Sequence, residues 1–441
     1  MPEEDHTHTI TADGDDAAAL RSAKNGDDAT FETTGGDGVV AHGAVEFDVA
    51  RGRPTWAEID LDALASNFRA VRRLVGTDVR VMAVVKADAY GHGAVRCARR
   101  LAAEGADWFG VALAEEGVEL REAGITQPIL CLEGFWEGQA DVLVRHSLVP
   151  VIYRQDMAAE FARAAGAAGV CADVHVEIDT GMGRLGVRHE EAAQFARALK
   201  KYAHLRVDGL MTHFAAADEA ARDAFTREQL ARFQTTRAAF QAAGHAPTFF
   251  DMANSAATFA YAATRGNMVR PGGVLYGLWR DVLQLGRRAT EDDDAELPEF
   301  RPVMNVRSRI VLLKWIEAGE TLGYGCTFEA RRRTLVATVP IGYHDGYARA
   351  LSNCGRVIVR GNFAPVAGRI SMDLTLLDVT DVPGVERGDE VTLIGTDGAL
   401  SVTAEEVARL ARTISYEITC GISARVPRRS KEEGERERGK G

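Results

Sequence analysis

Between residues 80 and 270 the chain alternates short apolar runs, rich in β-branched residues, with longer stretches of Ala, Arg and Glu. Runs apolar at consecutive positions, rather than at every second one, mark strands buried on both faces. Eight are recognisable, at 81–86, 108–112, 129–132, 149–153, 174–179, 207–211, 248–252 and 268–270. Stretches of helical period at 93–104, 115–123, 156–167, 190–202 and 222–243 separate most of them. Strands and helices in this alternation predict a parallel sheet, and eight such units within roughly 200 residues predict a (β/α)8 TIM barrel.

After Gly277 comes a polar insert, Thr290-Glu-Asp-Asp-Asp-Ala-Glu-Leu-Pro298, and the period then shifts toward alternation, as in Thr334-Leu-Val-Ala-Thr-Val-Pro-Ile341 and Arg356-Val-Ile-Val-Arg360. This predicts a second, mostly antiparallel β domain. Gly395-Thr-Asp-Gly398 reads as a turn, and 403–412 as a short amphipathic helix capped by Thr403. The expected division is an acidic disordered leader over 1–53, a barrel over 54–285, a β domain over 286–426 that the strand near 56–60 joins, and a disordered tail over 427–441.

The charge balance sharpens this division. Of the net −12 of the 441 residues, residues 1–50 carry −10, from twelve acids and two bases, which leaves −2 for the rest. A near-neutral body lacks the clustered Lys and Arg of a nucleic-acid surface. No apolar stretch approaches the ~18 residues of a membrane span, and no signal peptide is recognisable, so a cytoplasmic protein is expected. The six cysteines include no C-x-x-C pair, so neither a disulfide scaffold nor a metal centre is expected.

The ends of the strands hold the chemistry. Lys86 closes the first strand in Ala83-Val-Val-Lys-Ala-Asp-Ala-Tyr-Gly-His-Gly93. A lysine there is either a snorkelling surface residue or a reactive amine, since desolvation favours the uncharged, nucleophilic form. Tyr90 brings a hydroxyl close by, whereas His92 reads more simply as a turn residue. Asp179-Thr-Gly-Met-Gly-Arg-Leu-Gly186 contains G-x-G-x-x-G, but four strands already precede it, and a dinucleotide fingerprint belongs to the first βα turn of its sheet. The alternative is a loop that aims Arg184 at an anion. His213 follows the sixth strand and suits either ligand contact or a structural hydrogen bond. Asn254 and Ser255 follow the seventh strand, and Arg270, Gly272 and Gly273 the eighth, where barrels commonly hold phosphate. An amine, a phosphate cradle and an arginine at one barrel mouth point to pyridoxal 5'-phosphate carried by Lys86 as a Schiff base.

With these motifs, Arg270-Pro-Gly, Gly342-Tyr-His-Asp-Gly346 and Gly368-Arg-Ile-Ser-Met-Asp373 all in order, the sequence from about Trp56 to Pro427 resembles the alanine racemases, pyridoxal-phosphate enzymes of fold type III. The resemblance implies that Lys86 holds the cofactor and serves as one base. It makes Tyr324, in Leu322-Gly-Tyr-Gly325, the opposite base, supplied by the partner in a head-to-tail homodimer. It gives Tyr90, Ser255, Gly272, Gly273 and Tyr416 to the phosphate, Arg270 to the pyridine nitrogen, and Arg184 with the Met372 amide to the substrate carboxylate. His213, Asn254, Tyr343 and Asp373 are expected in support. The implied role is supply of D-alanine for peptidoglycan.

Two positions depart from the family pattern. Glu177 stands where many members carry a carbamylated lysine, and is expected to give Arg184 a permanent negative charge. Asp251 stands where a histidine is common, and an ion pair with Arg270 is expected. A broader amino-acid racemase, a decarboxylase of related fold and a non-catalytic pyridoxal-phosphate barrel are the competing readings; the last lacks a β domain.

Overall fold

The computed structural model describes residues 52–280 and 298–430. Nearly all of the expected leader, most of the polar insert and the end of the tail lie outside the described residues.

The chain enters through a strand of the C-terminal sheet, β1 (Thr55–Ile59). Asp60 then caps the helix Leu61–Val75, its carboxylate accepting the Ala63 N–H at 2.8 Å, and Gly76 ends that helix at a φ of 75°. Next come β2 (Arg80–Val84), β3 (Trp108–Val111), β4 (Ile129–Cys131), β5 (Val149–Ile152), β6 (Ala172–Asp179), the short β7 (Val187–Arg188), β8 (Leu205–Met211), β9 (Phe249–Ala253) and β10 (Met268–Val269). All but β7 pair in parallel around a closed ring in the order β2-β3-β4-β5-β6-β8-β9-β10, so the eight expected strands form the expected barrel. Helices 94–103, 114–122, 155–167, 192–199 and 223–242 match the expected ones, and a short helix at 140–145 adds to them.

Two apolar layers hold the barrel together. Helix faces pack on the outside of the strands through residues such as Phe68, Leu101, Phe161 and Phe240. Inside the ring, Met82, Trp108, Leu130, Val151, Met211 and Met268 fill the lumen, so the barrel is a core and not a pore.

The second half of the chain is β-rich and antiparallel. It comprises β11 (Met304–Arg309), β12 (Leu312–Ile316), β13 (Thr321–Leu322), β14 (Phe328–Glu329), β15 (Thr334–Val339), β16 (Arg356–Val359), β17 (Asn362–Pro365), β18 (Thr375–Asp378), β19 (Glu390–Asp397), β20 (Leu400–Val402) and β21 (Arg428–Ser430). β1 pairs antiparallel with β11, as expected for the strand near 56–60. A buried network ties the sheet: Arg307 donates to Glu58 at 2.9 Å and to Glu390 at 2.6 Å, joining β1, β11 and β19.

Three details correct the sequence reading. Residues 428–430, expected as tail, form β21 and pair in parallel with β1, because backbone pairing on a sheet edge tolerates polar side chains. Arg53, expected in the leader, is ion-paired to the buried Asp345. The hairpin turn expected at 395–398 falls later: β19 runs through Asp397, and Gly398, at a φ of 59°, makes the turn. Thr403 caps its helix as expected, accepting from Glu406 N–H at 3.1 Å.

Candidate active site

Four residues after Lys86, Ala87 to Tyr90, have φ between 52° and 56° in succession, a left-handed turn without glycine. L-residues there cost roughly 1–2 kcal/mol each, and such strain persists only where surroundings enforce it. The enforcing bonds are visible: Glu116 accepts the Ala87 N–H at 2.7 Å and Asp88 accepts the Ala94 N–H at 2.6 Å. Gly91 has no room for a side chain because the Thr419 carbonyl lies against it, so a β-domain helix (Ser415–Gly421) is seated on this turn. His92 is wholly buried, with Nδ1 2.9 Å from the Ala89 and Tyr90 carbonyls, and burial pushes its pKa down to about 4. It is a packing residue.

The turn carries Tyr90 toward the loop after β10. A Cβ on Gly272 would run into the Tyr90 hydroxyl, and one on Gly273 would run into the Tyr416 hydroxyl. Ser255 Oγ accepts the Gly272 N–H at 2.9 Å, and the Tyr90 ring lies 5.6 Å from that of Tyr416 and 5.0 Å from that of Tyr276. Three hydroxyls and two glycine amides thus converge from the loops after β2, β9 and β10 and from the β domain. Hydroxyl and amide donors around side-chain-free glycines suit a phosphate, so the donor set fits a phosphorylated cofactor beside the Lys86 amine. Asn254 plays another part: its side chain accepts the Ala257 N–H at 3.0 Å and caps the helix Ser255–Ala260.

The cations gather at the same mouth. His213, partly buried, has its pKa driven down to about 3 by burial first and then by the charges of Arg270, Arg184 and Lys86, which keeps the imidazole neutral. Arg270 is buried, ion-paired to Asp251 as expected, and also donates to the Thr212 carbonyl at 2.8 Å. Arg184 is exposed on the loop after β6. The glycines of that loop answer to local packing. A side chain on Gly186 would strike the Asp179 backbone, and Asp179 accepts the N–H groups of Gly181 and Gly183 at 2.9 and 3.0 Å.

Glu177 is buried at this mouth. Among the described residues no ion pair joins it to Arg184. Burial is the main influence on its carboxyl and raises its pKa to about 7; the charge that most opposes the rise is Arg270, then Arg184. Burial thus works against its charge, and the two arginines work for it. Since the folded pKa exceeds the ordinary 4.5, ionising Glu177 weakens the fold as pH rises between these values. In the cofactor-free protein, Glu177→Gln is expected to gain stability over wild type by about 3 kcal/mol at pH about 8 and by almost nothing at pH about 4. Urea unfolding at both pH values checks this, and an equal gain at both would contradict it.

Tyr324, Tyr343 and Met372 form a separate surface of the β domain and are 72%, 41% and 51% exposed. Tyr343 N–H donates to Ser371 and His344 N–H to Met372, while the glycines beside Tyr324 pack on Arg369. Asp373 is held by Arg425 at 2.8 Å. Among the described residues no hydrogen bond, ion pair or ring contact joins the side chains of Tyr324, Tyr343 or Met372 to the barrel mouth of the same chain.

Tyr276 was not singled out from sequence. It is wholly buried, donates to the Val84 carbonyl at 2.9 Å and ties the strand that carries Lys86 to the loop after β10. Its place beside Arg270-Pro-Gly-Gly was the available signal.

A lysine, two arginines and a hydroxyl-and-amide cradle at the mouth of a (β/α)8 barrel, followed by an antiparallel β domain, define a two-domain enzyme suited to a phosphorylated cofactor. Family models described as the alanine racemase N-terminal domain and the alanine racemase C-terminal domain match residues 59–279 and 303–430. The alanine racemase of Halothermothrix orenii is 43% identical over 382 residues, covering 86% of this chain and 97% of that protein. The solved alanine racemase of Streptomyces coelicolor superposes with a TM-score of 0.79 at 36% identity, covering 87% of this chain and all of that one. A Bartonella henselae alanine racemase solved with covalently bound pyridoxal phosphate has a TM-score of 0.74 at 28% identity, covering 86% and 99% of the two chains. The chain belongs to the alanine racemase family.

Proposed function

We propose that this chain interconverts L- and D-alanine using pyridoxal 5'-phosphate held on Lys86, and does so as a homodimer whose active sites combine the barrel mouth of one subunit with the Tyr324 face of the other. The observation that carries this reading is the division of the machinery. The cations and the phosphate cradle sit at the mouth, while Tyr324 sits on an exposed face with no contact to them in its own chain.

When bound, pyridoxal phosphate withdraws electrons from the Cα–H bond of the amino acid it carries. Tyr90, Ser255, Tyr416 and the amides of Gly272 and Gly273 hold the phosphate, and Arg270 meets the ring. A guanidinium keeps its protons, so Arg270 donates a hydrogen bond without protonating the ring nitrogen, which restrains side reactions. Arg184 and the Met372 amide of the partner's face orient the substrate carboxylate, with His213, Tyr343 and Asp373 in support. Inversion removes the α-proton on one face and returns one on the other, which needs two bases of opposite placement. Lys86 Nζ serves one face and the partner subunit's Tyr324 Oη the other. Neutral His213 adds no further positive charge beside Lys86.

No helix among the described residues is long and apolar enough to cross a membrane. The same proposal places the enzyme in the cytoplasm, supplying D-alanine for peptidoglycan, with the barrel from β2 to β10 and the β domain of β1 and β11 to β21 as working units. Incubation with L-alanine in D2O tests the activity: D-alanine should form and both enantiomers should gain α-deuterium. Release of CO2, or equal turnover of bulkier amino acids, would favour the decarboxylase or the broader racemase instead.

A further inference from the structure

Against the apolar residues that fill the barrel lumen lies a buried polar triad of His175, Asp251 and Arg270. His175, on β6, is wholly buried, with Trp108 at 5.4 Å and Phe249 at 6.0 Å between ring centroids. The register pairs it with Gly209 of β8, and its ring fills the space that a Gly209 side chain would take. Its Nδ1 lies 2.9 Å from Asp251 Oδ2, and its Nε2 is buried without a partner. The ring's proton therefore belongs on Nδ1, where it is donated to Asp251, because an N–H left bare at Nε2 costs more than a bare lone pair.

The other carboxylate oxygen of Asp251 accepts from Arg270 Nη1, which also reaches the Asp251 carbonyl, while Nη2 goes to the Thr212 carbonyl. Both terminal nitrogens of the guanidinium are thus anchored to protein, which leaves Nε–H and a second Nη2–H as the donors for the ring. A buried ion pair of this kind is weak evidence for stability, since removing two charges from water offsets most of their attraction. Its fixed geometry suits orientation better.

We propose that Asp251 and His175 are positioning residues for the reaction: His175 holds the Asp251 carboxylate, and that carboxylate fixes the Arg270 guanidinium and offsets its charge. Arg270 then meets the cofactor ring as an oriented donor whose positive charge is balanced by the paired Asp251. The inference rests on the proposed contact between Arg270 and the ring, and adds the two residues that set it.

The test compares holoenzymes of Asp251→Asn, His175→Leu, His175→Asn and Arg270→Leu by visible absorption, by the pyridoxal-phosphate dissociation constant, and by kcat and KM for L-alanine. Asp251→Asn is expected to lower kcat and weaken cofactor binding about tenfold each and to shift the visible band, with KM changed less than about twofold. His175→Leu, which keeps the bulk without the donor, is expected to move the same quantities in the same direction. His175→Asn, which keeps a donor near the Nδ1 position, is expected to restore them. The inference is overturned if Asp251→Asn and His175→Leu leave spectrum, cofactor affinity and kcat unchanged while Arg270→Leu alters them. If Arg270→Leu itself changes neither spectrum nor affinity, the contact between Arg270 and the ring is wrong, and the inference falls with it. Should Asp251→Asn fail to fold, the His175 pair decides: equal behaviour of the Leu and Asn variants overturns the inference.

Discussion

Lys86→Ala is expected to abolish covalent attachment of pyridoxal phosphate and to lower racemisation on the order of 10⁴-fold or more, since nucleophile and base are removed together. The fold should persist, because Lys86 is partly exposed at the end of β2 and the left-handed turn beyond it is held by Glu116 and Asp88. Borohydride reduction followed by mass spectrometry reads the outcome. Wild type should carry the reduced cofactor on the peptide containing residue 86, and the variant should carry none. Attachment at another lysine, with activity retained, would remove Lys86 from the centre of the site.

The second large effect concerns the opposite face of the substrate. Tyr324→Phe is expected to lower inversion about 10³-fold, the scale of losing a positioned acid–base group. Lys86 would remain, so the one enantiomer whose α-hydrogen faces it should still exchange that hydrogen for deuterium in D2O without inverting. Exchange in place, on one enantiomer only, separates loss of a base from loss of folding. With 72% of Tyr324 exposed in the single chain, a stability change is not expected to accompany it. Undiminished inversion would end the two-base account and remove Tyr324 from the chemistry.

The barrel was legible because strands buried on both faces cannot disguise their apolar runs, and all eight lie within two residues of where the pattern places them. Convergence of Lys86, Arg184, His213 and Arg270 followed from topology, since the carboxyl ends of parallel barrel strands share one mouth. The turn after Lys86 was hidden. Four left-handed residues without glycine answer to tertiary hydrogen bonds, which leave no trace in local composition. His175 was hidden for a different reason: one histidine in an apolar strand reads as filler until the fold sets Asp251 2.9 Å from its Nδ1. The burial that works against the Glu177 charge was hidden too, because a motif does not report burial. The edge strand 428–430 was missed because its order comes from β1, a partner almost the whole chain away.

The most direct test of a site shared between subunits is co-expression of Lys86→Ala and Tyr324→Phe chains under different tags, with purification through both. Each variant alone should be nearly inactive. The mixed dimer should recover about half of the wild-type activity, because one of its two sites joins an intact Lys86 to the partner subunit's intact Tyr324. A mixed dimer no more active than its parents would contradict the shared site and place both bases within one chain.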